Sequence, residues 1–306
     1  MLKEINHIPA KTWNWLKVNQ ASVEVPDEVT SAEPIVIHAA GEGNNVSELP
    51  FEFDDGGKTE GSVEISVDSD INHTVVMDFK SESGGYADVL TKISLAKKAK
   101  LTLVQVHRLG EEFVFTGRID ADVDEKAEFR LMHVFIRGKE IYADVHADLR
   151  ARKSALNIDT GYLTTQDHIL DINYEAKHTG ELSMSDISVR GSLCGKAVKR
   201  FRGTIDFRLG AIGAKGNEIE EVLMLDEDVV NQTVPIILCE EEDVEGNHGA
   251  SIGRLDDDML YYMMSRGMDE DSIREMMKTA YVSAVMRKVP QEAAEMIEKI
   301  REEENL

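Results

Sequence analysis

Between Glu52 and Val234 the chain has no proline, and its apolar and polar residues keep returning to short alternating phrases. Examples are Ser62-Val-Glu-Ile-Ser-Val, Ala99-Lys-Leu-Thr-Leu-Val-Gln-Val, Glu140-Ile-Tyr-Ala-Asp-Val-His-Ala-Asp-Leu, Ile169-Leu-Asp-Ile-Asn-Tyr and Asp186-Ile-Ser-Val-Arg-Gly. A period of two with β-branched residues predicts half-buried strands, and the absence of proline leaves every backbone N–H free to join a ladder. Apart from Asp55-Gly56, the body lacks the Asn-Gly and Asp-Gly signals of tight hairpins. Coils stacked on coils therefore fit better than a meander, although the pattern alone does not separate a parallel β-helix from a sandwich.

The period changes after residue 255. Asp256-Asp257-Asp258 places acid at the positive end of a helix carrying Leu260, Met263 and Met264, and Gly267 stops it. Asp269 is a cap for a second helix from Glu270 to about Arg287, with Ile273, Met276, Met277, Ala280 and Val285 on or near one face. Pro290 suits the first turn of a third helix running into Glu302-Glu-Glu. Six methionines fall within residues 259–277; such a stripe is ordinarily core, but flexible thioethers also suit an adaptable partner surface. Before the β body, residues 1–45 mix a short helical phrase with turn residues, and Trp13 and Trp15 read as packing residues covering an edge of it. The resulting division is 1–45, a capping segment; 46–250, the β core; 251–306, a helical region.

Composition narrows the functions. The 306 residues carry a formal net charge of −24, which opposes nucleic acid and anionic membrane surfaces. The densest basic group, Lys196, Lys199, Arg200 and Arg202, reads as a solvated face or an internal ion-pair ladder, and from Gly216 to Gly253 there is no Lys or Arg. No apolar run approaches the roughly 18 residues of a membrane span, and Met1-Leu-Lys-Glu-Ile-Asn-His opens without a basic region followed by an apolar one. The expectation is a soluble, cytoplasmic protein whose Cys194 and Cys239 are free thiols.

Candidate chemistry concentrates in Cys239-Glu-Glu-Glu-Asp-Val-Glu-Gly-Asn-His248-Gly-Ala-Ser-Ile-Gly-Arg254. Gly246 and Gly249 bracket His248, which reads as presented in a turn or as capping a last strand. Thiolate and imidazole are metal-ligand types. Against this, a cysteine in a strand often behaves as a small buried hydrophobe. The remaining histidines show no metal-site spacing and read as surface or satisfied core residues. Asp120 and Asp122, two apart on one strand face, would be the acid and base of a competing polysaccharide-active β-helix enzyme; a solvated polar face explains them more simply.

The run Glu245-Gly-Asn-His-Gly-Ala-Ser-Ile-Gly-Arg-Leu-Asp…Tyr261-Tyr…Ser265-Arg-Gly267 resembles the C-terminal signature of the SufB/SufD family, scaffold subunits of SUF iron–sulfur cluster assembly. Gly195-Lys-Ala-Val-Lys-Arg-Phe-Arg-Gly-Thr-Ile-Asp206 is similar to its late-core segment, and Thr12-Trp-Asn-Trp-Leu-Lys-Val-Asn19 to the entry motif of short members. The resemblance implies a mainly β protein with a right-handed parallel β-helix core, whose ends would be capped by the N-terminal segment and the C-terminal helices. It also implies a non-enzymatic scaffold that docks a SufC-type ABC ATPase through Asp257 to Arg287. The contact candidates there are Asp257, Leu260, Tyr261, Met264, Arg266, Met268, Ile273 and Met277. With no Walker A motif in the chain, ATP would enter only through that partner.

His248-Gly249 resembles the SufD pattern, where SufB-type subunits have a glutamate after the histidine, and the SufB cysteine would fall near Glu221. The implied cargo is a transient iron–sulfur cluster or iron, with His248, Cys239 and Glu221 as candidate ligands; flavin binding is left open. The implied partners are the ATPase and either a second copy of the chain or a SufB-like subunit, with no nucleic acid and no membrane. A docking-only SufD-like paralogue without cluster ligands is the alternative.

Overall fold

The computed structural model describes residues 1–12, 16–41 and 45–306, so the expectation for Trp13 and Trp15 lies outside the described residues. Strands are numbered in chain order. After a small antiparallel pair, β1 (Leu2–Ile5) and β2 (Ala21–Glu24), the chain winds back and forth between two parallel sheets. The first sheet runs from β3 (Thr30–Ser31) and β4 (Ile35–Ala39) through β6 (Lys58–Val67), β8 (Gly85–Leu95), β10 (Phe113–Val123), β12 (Glu140–Leu149), β14 (Ile169–His178) and β16 (Val198–Phe207) to β18 (Val230–Cys239). The second runs from β5 (Val46–Glu52) through β7 (Asn72–Lys80), β9 (Lys100–Arg108), β11 (Glu128–Arg137), β13 (Ala155–Thr164), β15 (Met184–Leu193) and β17 (Ala214–Met224) to β19 (Val244–Arg254). Each strand pairs in parallel with the strands one coil before and after it, so the body is a parallel β-solenoid, the expected class. Because β3 and β4 pair with β6, solenoid pairing already begins within residues 1–45.

Register decides which residues fill the interior. In a parallel ladder, residues in register stack on the same face, so a column of apolar residues becomes a continuous ridge of core. One such column is Val75, Leu103, Leu131, Ile158 and Ile187, and every member is buried. Another column on the same face stacks rings: Phe51 on Phe79, Phe79 on His107 and His107 on Phe135, with centroids 4.8–4.9 Å apart.

One corner repeats a device absent from the expectations. Asp70, Lys98, Lys126, Lys153, Leu182 and Gly213 all have left-handed backbone, with φ between 56° and 69°. The N–H of each donates to a carbonyl of the next coil: Lys98 to Glu125, Lys126 to Arg152, Lys153 to Glu181. After each of the last five comes a small buried residue, Ala99, Ala127, Ser154, Ser183 or Ala214. A non-glycine residue in this region costs roughly 1 kcal/mol, and the coil-to-coil hydrogen bond plus the buried small residue offset it.

Of the segments expected to cap the ends, the β1–β2 pair and the C-terminal helices lie on the faces of the solenoid, while β3 and β4 pair at its first edge. The β1–β2 pair packs Ala21 and Val23 on Tyr86 and Tyr142 of the first sheet's outer face. There Asn6 donates to Asp171 at 2.6 Å, and Asp171 forms a fully buried ion pair with Arg202. The helices are α1 (Asp257–Ser265), α2 (Glu270–Met286) and α3 (Ala294–Glu303), close to their expected bounds, with Asp256 and Asp269 as side-chain N-caps. α2 crosses β11, β13 and β15, and a Cβ at Gly161 would come within 3.0–3.1 Å of Val285, Tyr281 and Val282, so glycine sets how closely it docks. Val282, Val285, Met286, Ile297 and Ile300 bury the outer face of the second sheet. No helix is long and apolar enough to cross a membrane.

Candidate assembly site at the last coil

The solenoid ends on two edge strands, β18 and β19, with no further strand paired to either among the described residues. Both are half-buried to exposed along their length, β19 almost wholly exposed. His248 is not in a turn: it lies mid-strand on β19, in register with Glu218, which follows Ile187 in the apolar column. Cys239 ends β18 in register with Phe207, whose own neighbour is His178 of the preceding coil. The histidine and the cysteine thus continue columns that elsewhere form the core, at the coil where that core opens. Cys239 is exposed, and its Sγ donates to the Glu241 carbonyl at 3.0 Å.

Glu221 has the opposite parity. It stands in register with Arg190 and Ser251 on the outer face and pairs with Arg190 at 3.1 Å, so the sheet separates it from the columns of His248 and Cys239. Among the described residues no three His, Cys, Asp or Glu side chains come close enough to hold a metal ion.

Directly behind the open edge the interior becomes ionic. Glu218 and Glu220 from β17 and Lys199 from β16 are all buried, with Lys199 bonded to Glu220 and Thr233 donating to the other oxygen of Glu220 at 2.7 Å. The Glu218 carboxylate lies over Gly203, where a Cβ would meet Oε2 at 1.8 Å, so only glycine leaves it room. Burial pushes the Lys199 ammonium down to about 7, opposed by the nearby Glu218. Burial likewise pushes Glu218 up to about 7, opposed by Lys199.

Of the basic group noted in the sequence, Lys199 and Arg202 are both fully buried in ion pairs, one inside the solenoid and one beneath the N-terminal pair. The sequence signal for the interior cluster was misleading. In Glu218-Ile-Glu-Glu-Val the lone isoleucine suggests that its own parity faces inward, yet Ile219 is outside and the glutamates are inside.

Apart from His7, which is exposed, the other histidines behave as core or ion-paired residues. His107 and His133 contact through Nε2 atoms at 3.1 Å, His133 Nδ1 meets the Tyr174 hydroxyl at 2.9 Å, and burial pushes His133 down to about 3. His146 sits between Asp144 at 2.8 Å and Glu175 at 3.2 Å; burial opposes its charge, but the carboxylates prevail and raise it to about 9. Asp120 and Asp122 face outward in exposed ion pairs with Arg118 and Arg150. Cys194 is buried among Leu223 and Leu225, and burial raises its thiol to about 11, which makes it a packing residue.

Comparison with known proteins gives this edge a context. Residues 54–281 match the family model for the SUF system FeS cluster assembly SufBD core domain. The chain belongs to the SufBD family. Among its relatives, SufD of Bacillus subtilis is 33% identical over 113 residues, 37% of this chain and 26% of that protein. SufB of the same organism is 25% identical over 224 residues, 72% of this chain and 45% of the relative. A SufBD family protein of Mycobacterium leprae is 24% identical over 260 residues, 82% of this chain and 66% of the relative. The chain therefore spans less than two thirds of the length of these SufBD relatives, and β6 to β19 of the solenoid, α1 and most of α2 lie within the matched core.

α1 is the least engaged element of this SufBD chain. It buries no residue, and Asp257, Tyr261, Met264 and Arg266 are exposed, Tyr261 by 76%. Leu260 and Met268 are half-buried, whereas Ile273 is fully buried and Met277 packs on the Cys194 cluster, so the last two serve the fold of this chain.

Proposed function

We propose that this chain is a scaffold subunit of a SUF-type iron–sulfur cluster assembly complex, working with a SufC-type ABC ATPase and a second solenoid subunit. The observation that carries this reading is the open last coil, where Cys239 and His248 continue the core columns on an edge that no described part of the chain covers. A thiol and an imidazole are an incomplete set for iron or a cluster, so the remaining ligands come from the subunit that meets the edge. We take Cys239 and His248 as the ligands on this side and leave out Glu221, which faces outward and pairs with Arg190.

The ATPase docks on α1 and the linker after it, using Asp257, Leu260, Tyr261, Met264, Arg266 and Met268. An amphipathic helix with exposed Met and Tyr that buries none of its own residues is a surface of the kind that partners take up. Co-purification with the ATPase tests this directly. The double variant Tyr261→Ala, Met264→Glu should lose the complex while its melting temperature stays at the wild-type value. Undiminished complex formation by that variant would move the docking site elsewhere.

A further inference from the structure

Between the β1–β2 segment and the outer face of the first sheet lies a half-open cavity of about 440 Å³, lined by Lys11, Lys17, Gln20 and Ser22 from the segment and by Tyr142 and Arg200 from the sheet. Tyr142, Asp171 and Arg200 are successive members of one outward column. Asp171 is committed to its buried ion pair with Arg202 and to Asn6, and the Val18 carbonyl accepts from Arg202, so the segment is fixed on the sheet beside the cavity by bonds of its own. No carboxylate among the described residues lines the space. The nearby Glu140 accepts from the Tyr142 hydroxyl at 2.8 Å.

The cavity is an electrostatic exception in this molecule. The chain carries 58 acidic and 34 basic side chains, so a cation has carboxylates to spare. Lys199 and Arg202, close to Arg200 on the same strand, are both in ion pairs. Lys11, Lys17 and Arg200 form none among the described residues, and Arg200 donates only its Nε, to Gln232 at 2.9 Å. Lys17 is also held in left-handed backbone, φ 52°, a conformation that favours glycine and that is kept where the surroundings enforce it. Three like charges set around one space repel one another, and an anion placed between them removes that cost.

We propose that this cavity binds a small phosphorylated molecule carrying at least two phosphoryl groups, and that the bound anion ties the β1–β2 segment to β16. The ammonium groups, the free Nη atoms of Arg200, the Ser22 hydroxyl and the Gln20 amide offer more donors than the two oxygens of a carboxylate can accept, whereas linked phosphoryl groups supply oxygens for all of them. The volume is that of a small-molecule site, and the charge of −24 on the rest of the chain opposes a long polyanion such as nucleic acid. The proposal goes beyond the assembly function and needs neither the ATPase nor iron.

The test is isothermal titration calorimetry of the whole chain at low salt with pyrophosphate, ADP and inorganic phosphate as probes. Pyrophosphate and ADP should bind at one site per chain, about tenfold or more tighter than inorganic phosphate. ADP binding tighter than pyrophosphate would identify a nucleotide as the ligand, and equal binding would identify the linked phosphoryl groups alone. The double variant Lys11→Gln, Lys17→Gln, at two exposed positions, should weaken both by about tenfold or more and abolish the rise in melting temperature that pyrophosphate gives wild type. A control with the same change of charge on the helices, Arg287→Gln, Lys299→Gln, should bind as wild type does. No binding of either probe at millimolar concentration, equal binding by the Lys11/Lys17 variant, or equal weakening in the control would each overturn the proposal.

Discussion

His146 shows how one side chain can set a pH dependence for the whole protein. Its raised folded-state value, about 9 against an ordinary 6.5, means that the folded chain binds more protons between those limits. The stability from the Asp144–His146–Glu175 group is therefore full below pH 6.5 and lost as pH rises through 9. Glu218, raised from 4.5 to about 7, acts with the same sign in a lower window: stability falls as pH rises from 4.5 to 7. Lys199, lowered to about 7, and His133, lowered to about 3, act with the opposite sign, so each contribution is read as a difference: in urea titrations the stability of wild type over His146→Gln should decline between pH 6.5 and 9, and that of wild type over Glu218→Gln between pH 4.5 and 7. Differences that do not change with pH would contradict these assignments. At Gly203, alanine would drive a methyl group into the Glu218 carboxylate, with an expected loss of about 1–3 kcal/mol in the same assay.

At the scale of elements, the strands and helices were legible because their periods are regular: alternation over ten-residue strands, then Asp caps and Gly267 around the helices. The repeating corner was equally available in the sequence, as Lys98-Ala, Lys126-Ala and Lys153-Ser at intervals of 27 or 28 residues, but it is a backbone signal that hydrophobic patterning does not register. Ala127 should be intolerant of size, since it is buried beneath that corner; Ala127→Leu is expected to cost about 1–3 kcal/mol in thermal or urea unfolding. Ile297→Ala, which empties part of the α3 contact with the second sheet, should cost about 2–5 kcal/mol. α1 buries nothing, so its amides should exchange far faster than those of α2 in the isolated chain. The site was only partly legible for a related reason. Cys239 and His248 are marked by residue type, whereas Glu221 and the interior trio depend on strand parity, and in Glu218-Ile-Glu-Glu one apolar residue points to the wrong face.

For the whole molecule, the arrangement is a rod of nearest-neighbour contacts clad on both faces by its terminal segments and left open at its last coil. Cladding the faces stabilises the rod, while the open end gives up burial that one more coil would have gained. We assign that end to assembly, with Cys239 and His248 on its inner columns. The most direct test is anaerobic iron–sulfide reconstitution of the complex with the ATPase and the second solenoid subunit, comparing wild type with His248→Ala and Cys239→Ser by iron content and absorbance. The account predicts a cluster in the wild-type complex and its loss or marked reduction in His248→Ala, with all subunits still bound. A cluster of equal yield in both variants would contradict it.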